Sequence, residues 1–291
     1  MDAATSGQNF TVSMVPALVP ALAEAAHAVQ DPATGRSVYE RWKDQPKSSN
    51  VRSYGVASAT SGPAPFGVLG GGSDFMVFLQ HNGVPSLDMI FDGPYGVYHS
   101  LYDDYAWMER YGDPGFRYHA AMSRLWGLLA MRFAQADVLP LDYALYASEV
   151  GAYLQGLEKI AAADFFANNL QPLTQKCQAW QVASVRVTNQ LEARRAAGAV
   201  DAAGYHLSAA QLNARLLAEE RALLDDQGIP GRPWFRHLIY APLPSYEAET
   251  LPGLREALVA GDLERARQQA ERLSAALDRA IDTLTGKLPP M

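Results

Sequence analysis

Cysteine is scarce in this sequence, because Cys177 is the only one among 291 residues. A disulfide within the chain is therefore excluded, and so is a metal cluster built from several thiolates. Since Cys177 lies among apolar residues at helical spacing, we expect it to be a small residue of the core.

Long apolar runs are also missing. No stretch approaches the roughly 20 apolar residues that cross a bilayer, so no membrane segment is predicted in this chain. The first residues, MDAATSGQNFTVSM, lack the basic segment and the unbroken apolar segment that are typical of a secretory signal peptide. The sequence leaves the compartment open.

Basic clusters are the third absence. The chain has 24 Lys and Arg residues against 31 Asp and Glu residues, a formal charge of -7, and its cations are scattered. This distribution of charge argues against a nucleic-acid partner. The hydrophobic content of 48% is sufficient for a folded core.

The beginning of the chain shows a helical pattern. Apolar residues at helical spacing predict one amphipathic helix from Phe10 to Val29. An irregular connection rich in Pro, Gly, Ser and Lys follows over residues 31–64, with a short helical turn at Val38–Trp42.

A strand and helix pattern comes next. The apolar run Phe66–Leu69 ends in three glycines, after which Ser73 or Asp74 is expected to cap a helix that stops at Gly83. Pro85–Phe91 is predicted to be a second strand. This order is typical of α/β proteins.

The second part of the sequence is dominated by long helices, and Pro140 marks the candidate boundary. We predict an α/β domain over residues 1–139 and an all-α domain over residues 140–291. Ser208 and Gln211 form a capping box at one helix start. Apolar stripes predict a four-helix bundle, with helices in the regions 143–160, 173–191, 209–227 and 263–284.

A proline-rich loop interrupts these helices at residues 229–253. It contains five prolines and a dense aromatic set that includes Trp234, Tyr240 and Tyr246. Such a composition is unsuited to a helix, and so many aromatic side chains need a packing surface. We therefore expect the loop to return to the first domain and to help wall its pocket.

His99 is the first candidate functional residue. It follows the predicted strand Pro85–Phe91 at the end where open α/β sheets bind ligands. Imidazole is a common zinc ligand, so His99 is a candidate metal ligand. The competing interpretation is a structural histidine with satisfied hydrogen bonds.

A serine hydrolase is the alternative enzyme, with Ser73 as nucleophile, His99 as base and Asp103 or Asp104 as its orienting group. The segment GGSDF lacks the second glycine of a nucleophile elbow, and its serine is more simply a helix cap. Three acid pairs are expected to be solvated charges on helix faces or ends: Asp103 with Asp104, Glu219 with Glu220, and Asp225 with Asp226.

Several motifs carry a resemblance to a known family. The segments LGGGSDF, YHSLYDDY, DPGFRYH, VLPLDYA and GIPGRPWFRHLIYAP resemble, in order and spacing, the carboxyl-terminal half of the glutamate carboxypeptidase II and transferrin receptor family. The resemblance covers almost the whole chain. It implies part of a zinc-aminopeptidase-like α/β domain, followed by a helical dimerisation domain that forms a homodimer.

The resemblance also implies roles for individual residues. His99 matches the ligand of one zinc ion and Asp2 matches a ligand of the other. Gly72, Tyr98 and Tyr246 match residues that line the substrate pocket. The remaining zinc ligands and the glutamate general base lie before Met1 in the family.

A single ligand for each of two zinc ions is too few to hold them. We therefore expect this chain alone to retain no zinc and to hydrolyse no peptide, with peptide hydrolysis belonging to a full-length parent. The alternative is a non-catalytic dimerisation module of the transferrin receptor type.

The sequence departs from the glutamate-preferring members at two positions. The segment Ser86–Ile90 carries no cation where those members have an arginine patch, and Ser245 stands where they have a lysine before Tyr246. Because no partner for a substrate carboxylate is visible, we predict that a complete parent prefers neutral or apolar peptide ends.

Overall fold

The computed structural model describes residues 3–45, 64–196 and 208–286. Most of the predicted irregular connection and the candidate ligand Asp2 lie outside these ranges. The part of the connection that is described contains helix α2, Val38–Lys43, which confirms the predicted helical turn. Ser37 and Glu40 form a capping box at its start.

The prediction of one helix from Phe10 is wrong over the first residues. Strand β1, Asn9–Met14, pairs antiparallel with strand β2, Leu87–Asp92, with Phe10 opposite Phe91. The sequence FTVSM alternates apolar and polar residues, which suits a strand, and pairing with β2 decides the outcome. The helical pattern applies only to the next residues, a 3-10 turn and helix α1, Val19–His27.

The glycine-rich segment runs beside β1. Gly67 N donates to Val12 O at 2.8 Å, and Met14 N donates to Gly67 O at 3.1 Å. The chain then turns into a short helical segment that ends as the π-helical turn Val77–His81. Gly83, at φ +62°, follows this turn, so the predicted helix and its stop are confirmed.

The remainder is mostly helical with a second small antiparallel sheet. Strand β3, Tyr240–Pro242, pairs with β4, Ala248–Thr250. The longer helices that follow are α3 Arg117–Gln135, α4 Tyr143–Gly156, α5 Gln171–Ala196, α6 Ala209–Ala222, α7 Pro252–Val259 and α8 Leu263–Thr285. Helix α5 packs against α4 and α8, and α8 also packs against α6 and α7.

Helix α6 begins as predicted and ends early. Ser208 and Gln211 form the expected capping box. The helix stops at Ala222 because Leu223 O accepts a hydrogen bond from Leu238 N at 3.0 Å and the chain turns away. Gly228 belongs to a later turn. Among the described helices, none combines the length and apolar character needed to cross a bilayer.

The apolar core is continuous between the first part of the chain and the helices. Cys177 is buried as predicted, and burial raises the pKa of its thiol to about 12. The aromatic residues Trp180, Tyr146 and Tyr240 are also fully buried. Since a thiol with such a pKa is almost entirely protonated at neutral pH, Cys177 is unreactive in the native protein.

The expectation that Glu219 and Glu220 are solvated is wrong. Both are 0% exposed on the inner face of α6, and they form what we call the buried acid pair. Trp180 Nε1 donates to Glu219 Oε2 at 2.9 Å, and Tyr146 OH donates to Glu220 Oε1 at 2.7 Å. These donors replace water, which the sequence pattern could not reveal.

In the other two acid pairs, Asp103, Asp104 and Asp226 are exposed as expected, whereas only 15% of the Asp225 side chain is exposed. Asp104 caps a short turn by accepting from Trp107 N at 2.8 Å, and Asp103 accepts from Tyr95 OH. Asp226 is exposed, and Asp225 lies 3.4 Å from the Arg272 guanidinium.

Burial raises the pKa of Glu219 well above its usual range, and the neighbouring Glu220 raises it further, against the opposing hydrogen bond from Trp180. The folded state therefore holds a proton that the unfolded state releases near pH 4.5, so stability falls as pH rises from there towards the folded pKa. We predict that Glu219→Gln removes this fall and stabilises the protein increasingly from pH 4.5 to 7.5.

Urea unfolding at three pH values measures this effect, where each unit of pKa shift corresponds to about 1.4 kcal/mol. Glu158→Gln, at an exposed carboxyl, is the control. A constant difference between wild type and Glu219→Gln across this range would contradict the assignment.

Gly83 provides a second test of the packing. A Cβ there would lie 2.9 Å from Arg221 Cα on helix α6, and its φ of +62° disfavours other residues. We predict that Gly83→Ala destabilises the chain by at least about 1–2 kcal/mol, the cost of a left-handed residue. Gly127→Ala, inside α3 with open space around it, should stabilise it by about 0.5–1 kcal/mol. Equal thermal unfolding midpoints for the two variants would refute this packing.

Candidate functional site

The glycine turn, which we define as Gly70–Gly72, lies against Tyr246 of the proline-rich loop. Gly71 N donates to Tyr246 O at 2.9 Å. A Cβ at Gly72, where φ is +93°, would lie 3.2 Å from the Tyr246 ring. The structure thus brings together two of the three residues that the resemblance assigns to a substrate pocket.

Gly70 shows why the turn contains glycines. A Cβ at Gly70 would lie 2.4 Å from Tyr246 O and 2.7 Å from Ala248 N. A side chain would therefore displace the backbone that leads into β4. Tyr246 is 60% exposed, so solvent reaches much of this residue.

Tyr98 and His99 form a second pair in the turn after β2. Their rings stack with centroids 3.9 Å apart. Tyr98 is 47% exposed, and His99 is exposed with a φ of +60°, a left-handed conformation that is costly for a residue with a Cβ. Such strain is common where a side chain is aimed for function.

The serine hydrolase alternative gains no support from the geometry. Ser73 lies on the wall of an apolar groove with Phe75 and Phe78. Of the candidate orienting groups, Asp103 accepts from Tyr95 OH and Asp104 accepts from Trp107 N. The carboxylates therefore serve local structure.

The predicted return of the proline-rich loop to the first part of the chain is confirmed. Arg236 N and His237 N both donate to Gln80 O, at 2.8 and 3.1 Å. The His81 ring stacks on Trp234 with centroids 5.0 Å apart. These contacts hold the loop beside the glycine turn.

Two polar residues are buried near this junction, and one of them, Gln80, escaped the sequence analysis. Gln80 is 0% exposed, and its Nε2 donates to Gly70 O at 2.6 Å. His237 is also 0% exposed, and its Nε2 contacts Glu220 Oε1 at 2.9 Å. The sequence did contain a signal for the burial of Gln80, because this amide residue directly follows the apolar run FMVFL.

The remaining described histidines have structural contacts. His119 Nδ1 lies 2.8 Å from Asp113 Oδ2, and this histidine lowers the pKa of Asp113 against the opposing effect of burial. His27 stacks on Tyr39. His206 lies outside the described ranges.

Comparison with known proteins identifies the helical part. Residues 168–285 match the transferrin receptor-like dimerisation domain. Over 99% of its length the chain is 34% identical to a probable glutamate carboxypeptidase from Arabidopsis thaliana. The chain belongs to the glutamate carboxypeptidase II and transferrin receptor-like family. The similarity covers 40% of the Arabidopsis protein, so this chain corresponds to less than half of that relative.

Two further relatives are similar over nearly all of this chain. A probable glutamate carboxypeptidase from Arthroderma benhamiae is 33% identical over 98% of this chain and 38% of its own length. An inactive zinc metalloprotease from Schizosaccharomyces pombe is 24% identical over 96% of this chain and 33% of its own length. The names span peptidases and an inactive protein.

Zinc is the metal that this family implies. Catalytic zinc takes three protein ligands and structural zinc takes four. Within residues 3–45, 64–196 and 208–286, no group of three or more His, Cys, Asp and Glu side chains could hold a metal ion. His99 offers one donor, so the described residues by themselves do not fit a zinc ion.

Proposed function

We propose that this chain provides the carboxyl-terminal portion of a zinc-dependent exopeptidase and that its helical part forms a homodimer. The contact between Gly72 and Tyr246 carries the proposal, because it joins two segments that the resemblance assigns to one substrate pocket. The relatives named as carboxypeptidases, similar over nearly all of the chain, support it.

Peptide hydrolysis would require groups beyond the described residues. A metal-bound water needs several metal ligands and a carboxylate base within hydrogen-bond reach. In this proposal His99 and Asp2 each contribute one ligand, and Gly72, Tyr98 and Tyr246 contact the peptide. The chain alone is then inactive.

The proposed division of labour follows the domain prediction. Residues 1–139 form part of a peptidase α/β domain, and residues 140–291 form a helical domain whose long helices make a four-helix bundle. The packing of α5 on α4 and α8, and of α6 on α8, supports this arrangement.

Metal analysis tests the incomplete metal centre. We predict less than stoichiometric zinc, measured by mass spectrometry, after the purified chain is equilibrated with zinc and desalted, because one imidazole cannot retain the ion. One zinc ion per chain that is lost in His99→Ala but retained in His27→Ala would overturn the prediction.

A chimera tests the peptidase function. The chain replaces the matching 40% of the Arabidopsis relative, and dipeptide hydrolysis is measured. We expect hydrolysis with a preference for neutral or apolar ends, and a KM raised about tenfold by Tyr246→Ala, which corresponds to about 1.4 kcal/mol of lost binding. Circular dichroism verifies folding of both proteins.

A folded chimera without activity would favour the alternative, a non-catalytic dimerisation module, for which the inactive relative from Schizosaccharomyces pombe gives a precedent. A strong preference for a terminal glutamate would refute only the predicted specificity.

Sedimentation tests the homodimer. Val182 and Val185 are 53% and 42% exposed on one face of α5, inside the region that matches the dimerisation domain. Exposed apolar side chains on one helix face are typical of an association surface. We predict a dimer at micromolar concentration and a monomer for Val182→Glu with Val185→Glu.

Met131→Glu is the matched control for the homodimer. Met131 is 53% exposed on α3 and lies outside the matched region, so this variant should remain dimeric. A wild-type chain that sediments as a monomer would contradict the homodimer.

A further inference from the structure

A continuous set of hydrogen bonds links the buried acid pair to the glycine turn. It begins at Glu220 on helix α6, whose Oε1 accepts from Tyr146 OH at 2.7 Å and contacts His237 Nε2 at 2.9 Å. All of these groups are fully buried. Hydrogen bonds in such surroundings are strong, and losing one partner is costly.

The geometry assigns the protonation of His237. Its Nδ1 accepts from Ile239 N at 3.1 Å and from Tyr240 N at 3.2 Å, so this nitrogen carries no proton. The proton of the neutral ring is therefore on Nε2, which donates to Glu220. The ring is held from both sides, and it fixes the start of β3 relative to α6.

Gln80 continues the connection towards the site. Its backbone carbonyl accepts from His237 N and Arg236 N, while its side-chain Nε2 donates to Gly70 O at 2.6 Å. One buried residue thus holds the loop with its backbone and the glycine turn with its side chain. An apolar residue of similar size would fill the same space without the second contact.

The last step reaches Tyr246. Gly71 N donates to Tyr246 O at 2.9 Å, and Gly70 is so close to the Tyr246–Ala248 backbone that no side chain fits between them. A displaced glycine turn therefore displaces Tyr246 as well.

We propose that Gln80 is a positioning residue that fixes the Gly70–Gly72 turn and Tyr246 relative to the Glu220–His237 pair in the helical core. A role of Gln80 in substrate binding rests on the proposed function. The connection from Glu220 through Gln80 to Tyr246 does not, since it concerns only residues of this chain.

The other half of the acid pair provides an internal control. Trp180 Nε1 donates to Glu219 Oε2 at 2.9 Å, from helix α5 to helix α6. This bond is equally buried and lies in the same core, but it stays between helices and bypasses the loop. Its loss should weaken the core without a selective effect on the glycine turn.

Amide hydrogen exchange on the full chain tests the link, with the Gly71 amide as reporter because it donates to Tyr246 O. We expect Gln80→Met to raise the exchange rate of this amide about tenfold, because losing one hydrogen bond lowers the free energy of local opening by the contribution of that bond. Amides within α8 should remain at wild-type rates. Urea unfolding measures the global stability of each variant. In Trp180→Phe, the exchange rate of the Gly71 amide should rise no more than the loss of global stability accounts for.

A Gly71 amide that exchanges at the wild-type rate in Gln80→Met would overturn the proposal. So would an increase that merely follows the loss of global stability and occurs equally in Trp180→Phe. If Gln80→Met folds poorly, Gln80→Leu is a second apolar replacement that removes the donor without adding a charge, and the same selective increase is expected.

In the active chimera, Gln80→Met should raise KM and leave kcat nearly unchanged. Since exchange is measured without substrate, an inactive chimera would count against the proposed function alone, whereas unchanged Gly71 exchange would count against the link alone.

Discussion

The two hydrogen bonds that Gln80 O accepts from Arg236 and His237 hold the proline-rich loop against the first part of the chain. The candidate site depends on this junction, because Tyr246 belongs to the loop and Gly72 to the glycine turn. Segments more than 150 residues apart in sequence meet there, so loop-closure entropy opposes the contact and burial must offset it. The stacking of His81 on Trp234 and the continuous apolar core supply that burial.

The helical part is connected to the candidate site through its core. Its core contains two neighbouring carboxyl groups, one bonded to Trp180 and the other to Tyr146 and His237. Burying such groups is costly, and apolar residues of similar size would often give equal or greater stability. Here the directional bonds of Glu220 determine where His237 and the start of β3 lie. The buried acid pair thus lowers the stability of the core, while its hydrogen bonds hold the loop in a defined position. A rigid pocket wall would need such a fixed position.

In the proposed enzyme, substrate contacts and metal chemistry fall to different residues. Packing and backbone hydrogen bonds within this chain place Gly72 beside Tyr246, the two residues proposed to contact the peptide. His99 sits in an exposed, left-handed turn and offers a single imidazole. Zinc affinity depends on several ligands held together. The metal centre of the proposed enzyme therefore needs more precisely placed groups than its pocket wall does.

Features that depend on local chemistry could be predicted from the sequence. The cap at Ser208, the glycine stop at Gly83, the strand at β2 and the burial of Cys177 follow from turn propensities, helical spacing and apolar pattern, and the motifs revealed the family. Tertiary structure alone decided that β1 is a strand and that Glu219 and Glu220 are buried. Both outcomes depend on partners distant in sequence, Leu87–Asp92 for the strand and Trp180, Tyr146 and His237 for the acids. Local pattern carries no information about such partners, because the free energy of a pairing or a buried hydrogen bond arises only when the chain brings them together.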